Sequence, residues 1–247
     1  MREVNRQLIE DVEKARRRII LGLFVAITVF IVFEALRGEQ FWNKLKSEGN
    51  LWNYGSSLVF FMAGQGAILT AILLSYQGRG SNPRPNRWVW LPWAVAGAAL
   101  VFLACDEMLS IHEKLGLALE RSVPRLQEAY PGHADNLIVG VYALGALLFA
   151  PSFFRGDASD RRARAYLIAG FAMIAAAGLL DALPKEMYIR YLPFRETEEL
   201  LEVYAGFSLN AAFFSTAALA LTRILRAQDD ESREAAPVGV SESGRAT

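Results

Sequence analysis

The apolar residues of this chain are gathered into long blocks, and nothing else in it constrains the fold as strongly. Six runs stand out, over residues 19–36, 55–76, 88–105, 137–154, 165–183 and 203–225. A run of about 18 apolar residues is long enough, as a helix, to cross the hydrocarbon core of a bilayer. The fourth run is interrupted near its end by Pro151, and the fifth is rich in alanine and glycine. Hydrophobic residues make up 53% of the 247, which fits that distribution. The expected fold is all-α: a polytopic transmembrane helix bundle of about six spans. Its organisation reads as a basic cytoplasmic segment over 1–18, one membrane domain over 19–226, and a disordered polar cytoplasmic tail over 227–247.

The segment before the first run is too long and too charged for a cleavable signal peptide, and no small-residue cleavage site follows cleanly. Cys105 is the single cysteine, so internal disulfides and cysteine-rich metal sites are excluded. Its place at the end of the third run reads as that of a small core residue. Formal net charge is zero, which gives no reason to expect a nucleic-acid partner. Basic residues collect in alternate short segments: Arg2, Arg6, Lys14 and Arg16 to Arg18; then Arg79, Arg84 and Arg87; then Arg155, Arg161, Arg162 and Arg164; then Arg223 and Arg226. By the positive-inside rule both termini are cytoplasmic, and an even number of spans agrees. The expected location is the cell membrane, in particular a bacterial inner membrane. The bilayer is then the chain's main partner, and a membrane-protein partner or a second copy are further possibilities.

The chemistry is concentrated in DEMLSIHEKLG, residues 106–116, at the end of the third run. Ionisable groups at the edge of hydrocarbon are costly and need partners or a purpose. Asp106 lies 18 residues from the start of its run, about 27 Å across at the helical rise. Glu34 lies about 22 Å into the first run and Asp181 about 24 Å into the fifth by the same measure. Glu202 opens the sixth run, with Glu198 one turn further out. Four helices thus place a carboxylate near one plane beneath the non-cytoplasmic interface. On a continuous helix Asp106, Ser110 and Glu113 share one stripe, with Glu107 at its edge. His112 falls about 160° from Ser110 on the same helix. Either His112 serves another neighbour, or the helix kinks there.

Carboxylates with an imidazole, held by helices of a bundle, suit a divalent cation such as Mn, Fe, Zn or Ca. Asp106, Glu107, Glu113, Asp181, Glu202, Glu198 and Glu34 are the candidate ligands, with Glu113 or His112 as candidate catalytic base on a metal-bound water. Glu-x-x-His, the spacing of paired-iron bundles, is absent, since Ser110 stands three after Glu107. HExxH is not completed either, because position 116 is glycine. His112 and His133 are the only histidines, so a three-histidine zinc site cannot form. Crowded acids would equally share protons. An interfacial salt-bridge layer, with Lys114, Arg121, Lys185, Arg190 and Arg195 as partners, is the alternative without chemistry. Gln65 and Asn210 read as hydrogen-bonding glue between helices. Gly64, Gly66, Gly97, Gly170 and Gly178 read as close helix contacts, and Trp88, Trp90 and Trp93 as an interfacial anchor.

The DE-x4-HE motif at residues 106–113, with EE-x2-E at Glu198, Glu199 and Glu202, resembles a pair of marks recurring in uncharacterised multi-pass bacterial membrane proteins. The resemblance implies no activity. A buried acid and histidine near one face is also superficially similar to ceramidase-like membrane hydrolases. Their three zinc-binding histidines cannot be assembled here, so that activity does not transfer. Three classes of function follow: a metal site acting on a lipid or small amphiphile; an ion- or proton-binding station of a transporter or sensor; and a structural or assembly subunit that docks through residues 106–135.

Overall fold

A computed structural model describes residues 2–36, 51–77, 87–129, 134–154, 160–181 and 194–234. Among them every regular element is helical: α1 (Arg2–Leu36), α2 (Leu51–Gln77), α3 (Arg87–Leu109), α4 (Ile111–Ser122), α5 (Pro124–Ala129), α6 (Ala134–Phe149), α7 (Arg161–Asp181) and α8 (Phe194–Glu234). Five segments within them are long and apolar enough to cross a membrane: Gly55–Tyr76, Arg87–Leu109, Ala134–Phe154, Arg161–Leu180 and Leu200–Ser232. The first apolar run of the sequence occupies the second half of α1, where most side chains from residue 30 onward lie outside the described set. Apolar length on this scale marks the chain as a membrane protein, because only a hydrocarbon surround makes the outward display of Leu21, Val141, Leu147, Leu148 and Leu179 favourable.

The bundle is organised around α8, whose membrane segment is the most buried of the five, while that of α6 is the least. Small residues let its neighbours approach. A Cβ on Gly206 would stand 2.6 Å from Val59 Cγ1, and one on Gly66 would stand 3.4 Å from Phe213 Cβ. Residue numbers on α2 and α8 rise together through these contacts, so the two helices run parallel. Between α2 and α3 the order reverses: Gly64 meets Gly97 and Val101, while Gly97 meets Gly64 and Ile68. Gly170 brings α7 against Ala205 and Leu209 of α8. Of the glycines expected at contacts, Gly178 differs, with nothing within 4 Å of a Cβ placed there.

Polar groups inside the bundle satisfy one another across helices, as an apolar surround requires. Asn210 Nδ2 donates to Gly206 O and, across the interface, to Val59 O, both at 2.9 Å. Thr70 Oγ1 donates to Gly66 O at 2.8 Å and to Phe213 O at 3.0 Å. Gln65 does not share this role, since it is exposed on the outer face of α2. Trp93 is likewise no interfacial anchor. It is 1% exposed and packs edge-on against Phe153 at 5.1 Å and Phe213 at 5.7 Å. Trp88 is exposed and stacks under the Arg87 guanidinium, as an interfacial tryptophan does. Cys105 is exposed rather than a core residue.

Pro151 acts as expected, because α6 gives way at Ala150 to a 3₁₀ turn over Ala150–Phe154, proline lacking the N–H that would continue the α-helix. Helix α8 runs on to Glu234, past the boundary expected at residue 227. Near the middle of α1, Arg16 pairs with Glu13 at 2.7 Å and with Asp160, the residue before α7, at 3.6 Å.

Gly97→Ala and Gly178→Ala should move stability in opposite directions. Alanine normally improves a helix interior by about 0.5–1 kcal/mol. At position 178 that gain should be realised, whereas at 97 a Cβ 2.5 Å from Ile68 Cγ1 and 2.9 Å from Gly64 O should cost about 1–3 kcal/mol. Thermal unfolding in one detergent, with both variants measured beside the parent, checks the sign of each.

Candidate functional site

Helix α3 carries DEML to its last turn and stops at Leu109. The next residue, Ser110, takes φ 47° and ψ 50°, the left-handed conformation, and is the one non-glycine residue with positive φ among those described. A side chain there costs about 1–2 kcal/mol. The reversal of backbone hand starts a second helix, α4, in a new direction. This is the kink that the sequence left open.

The turn brings His112 back over Asp106. Asp106 is 1% exposed, and both its oxygens meet the same residue. Oδ1 accepts from the His112 backbone N–H at 2.7 Å, and Oδ2 lies 3.0 Å from His112 Nδ1. The first four N–H groups of a helix have no partner in the helix itself, and the N-terminus favours negative charge. Ser110 occupies the capping position but makes no side-chain cap bond. Asp106, from the preceding helix, supplies the cap instead. Lys114 closes the other side of the junction, donating from Nζ to the carbonyl of Leu109 at 2.7 Å, where the end of α3 leaves acceptors open.

A carboxylate oxygen 3.0 Å from Nδ1 is a partner for a ring proton on Nδ1, the tautomer that leaves the Nε2 lone pair available. The His112 side chain is 18% exposed against 1% for Asp106, so the imidazole is the reachable member of the pair. Phe102, one turn before Asp106, packs edge-on against Tyr142 of α6 at 5.8 Å. That places Tyr142 within electrostatic reach of the Asp106 carboxylate. Close to the pair in sequence, Met108, Leu109 and Leu115 are exposed apolar side chains.

Helix α4 is fixed from outside the pair as well. Gly116 is buried against α6, where a Cβ would stand 2.6 Å from Asp135 N and 2.8 Å from its Cα. Glu120 Oε1 accepts from the N–H of Ala134 at 3.2 Å, capping the start of α6. Helix α4 is therefore folded back on the start of α6.

Of the residues singled out in the sequence, the structure brings Asp106 and His112 into direct contact. Glu107 is half-buried and Glu113 exposed. Glu198 and Glu202 are half-buried on the first turns of α8, each engaged with neighbours. The side chains of Glu34, Asp181 and Glu199, and all of His133, lie outside the described residues. Among the described residues no three of His, Cys, Asp and Glu converge as a metal-holding group. Sequence reasoning left the helix break as one of two alternatives, and it missed Tyr142 and the Glu120 cap. Ser110 followed by Glu113 has the S-x-x-E spacing of a helix start, and it was the available signal for the break.

A family model described as a domain of unknown function, DUF8692, matches residues 19–217, and the chain belongs to that family. Neither a curated protein nor a solved structure matches it.

Ser110→Gly should raise the melting temperature, because glycine removes a left-handed strain of about 1 kcal/mol. Ser110→Val should lower it, a β-branched residue being the worst fit to that φ. Asp106→Ala should cost about 1–3 kcal/mol, since it leaves the His112 N–H without its acceptor. Thermal unfolding of the three variants in detergent checks the order Gly, parent, Val, and the loss in Ala.

Proposed function

We propose that this member of the DUF8692 family is a six-span integral membrane protein with both termini in the cytoplasm, and that it performs proton transfer at its outer face. His112 Nε2 is the working atom and Asp106 its fixed partner. The observation that carries this reading is that a carboxylate 1% exposed spends both oxygens on one residue, whose imidazole is the more exposed partner. A cap for α4 would need one oxygen. The second, on Nδ1, favours the tautomer that leaves Nε2 free to take a proton. A buried carboxylate orienting a histidine in this way is the arrangement of general bases.

The substrate class that fits is a lipid or small amphiphile. The pair sits at the end of a membrane-crossing helix, and exposed Met108, Leu109 and Leu115 flank it. A ligand with an apolar body and a polar reacting end matches such a rim. Tyr142 of α6 packs against Phe102, one turn before Asp106, on the side of the pair facing α6.

The test combines histidine-selective nitrogen NMR with metal analysis of the detergent-purified protein. The expected result is an Nδ1-protonated His112 with an unprotonated Nε2 and no stoichiometric metal. In Asp106→Asn the amide can still accept from the His112 N–H but presents a donor to Nδ1, so the tautomer should switch to Nε2–H while the fold is kept. An Nε2-protonated ring in the parent protein would sink the reading. Stoichiometric Mn, Fe, Zn or Ca that is lost in His112→Gln would replace it with a metal centre, for which Glu34, Asp181 and Glu199 would be the further ligands to test.

A further inference from the structure

At the end of the bundle opposite the Asp106–His112 pair, two arginine doublets on different helices flank an ion pair that joins those helices. Arg16 of α1 is the tie: its side chain, 10% exposed, bonds Glu13 at 2.7 Å and reaches Asp160 at 3.6 Å. Asp160 also caps α7, accepting from the N–H of Ala163 at 2.7 Å through Oδ1 and from that of Arg164 at 3.0 Å through its carbonyl. The two acids of this junction are thereby committed to Arg16 and to the helix start. Arg17 and Arg18 follow Arg16 directly, and Arg161 and Arg162 follow Asp160 directly. All four are exposed, and among the described residues none of their side chains has an ion pair or hydrogen bond. The first turn of α7 adds the positive end of a 21-residue helix dipole between them.

What lies below the doublets is equally defined. Leu21, one turn inward from Arg17, is 63% exposed, and Ile168, two turns inward from Arg161, is 58% exposed. Guanidinium groups above outward-facing apolar side chains at the edge of a membrane-crossing segment present charge to a phosphate and apolar surface to acyl chains. Arginine binds phosphate oxygens with a planar fork of donors, and basic pockets between helices at a membrane surface are suited to anionic headgroups. We propose that Arg17, Arg18, Arg161 and Arg162 form a binding site for the phosphate of an anionic phospholipid, whose acyl chains lie along Leu21 and Ile168. The site is separate from the His112 chemistry and does not depend on it.

Native mass spectrometry of the full chain in detergent tests this, with dioleoyl phosphatidylglycerol and dioleoyl phosphatidylcholine titrated separately. The parent protein should bind the anionic lipid about tenfold or more tightly, on the scale of a few surface arginines facing an anionic headgroup. Arg17→Gln with Arg18→Gln, and separately Arg161→Gln with Arg162→Gln, should each bring the two lipids to near equality. Arg226→Gln, in the last third of α8, should leave the preference intact. Equal binding of both lipids by the parent overturns the site, as does a preference that survives both double variants. Inorganic phosphate at millimolar concentration should not displace the bound lipid, and displacement would assign the arginines to a free anion instead. Lysine at all four positions should retain at least part of the preference; complete loss there would mean that the variants act through structure, not charge, and would also overturn it.

Discussion

The placement of one carboxylate governs one end of this molecule. Asp106 ends a membrane-crossing helix and at the same time caps the next one, whose second residue is His112. The two roles are inseparable, because the N–H that finds no intrahelical acceptor and the imidazole belong to the same residue. Burying a carboxylate is expensive unless its charge is hydrogen-bonded. Here the helix N-terminus and the His112 ring supply that compensation, which is what allows an aspartate to be 1% exposed beside hydrocarbon. The left-handed turn at Ser110 follows from the same requirement. Without it α3 would continue and carry His112 to another face. With it α4 lies on α6, where Gly116 admits the Asp135 backbone and Glu120 caps the first turn.

Much of this architecture was legible in the residue pattern, and the failures have physical causes. Apolar run length locates helices well because hydrocarbon imposes a length on them, and the described helices cover the expected runs. Loop charge and length cannot say which small residues meet. Gly64 and Gly97 touch while Gly178 faces nothing within 4 Å, since a contact is decided by which helix comes alongside. Trp93 illustrates the same limit: its position near a helix start suggests a headgroup anchor, yet the 3₁₀ turn at Pro151 folds Phe153 over it. At the site, both members of the pair were visible as residue types. The helical period separated them, because a period assumes that the helix continues. The S-x-x-E spacing at Ser110 marked the interruption, but its capping function had passed to Asp106.

The charge pattern divides the molecule into two unlike ends, and the packing explains how they remain so. Arg16 and Asp160 tie α1 to α7 at the basic end, whereas at the acidic end Asp106 is bound within its own sequence neighbourhood. An ion pair between helices fixes their relative height. A carboxylate satisfied six residues away fixes only the local turn and leaves the histidine as the group presented to whatever approaches. The basic end is thus built to hold a level in the membrane, and the acidic end to present a side chain.

That presentation depends on a rigid support, which in lipid must come from close packing, because apolar surface alone gives no preference for helix over acyl chain. Helix α8 provides it. Its buried face alternates small residues with Ser208, Asn210, Ser215, Thr216 and Thr222, and the hydroxyl groups of Thr216 and Thr222 return to carbonyls one turn earlier at 2.9 Å. Short side chains let backbones approach, and Asn210 then bridges to α2 through Val59. Helix α2 in turn clasps α3 at Gly64 and Gly97, on the same helix that ends in Asp106. A chain of close contacts therefore runs from the centre of the bundle to the carboxylate that orients His112. Displacing α3 at Gly97 would be felt at the pair some nine residues further along, without any residue of the pair being altered.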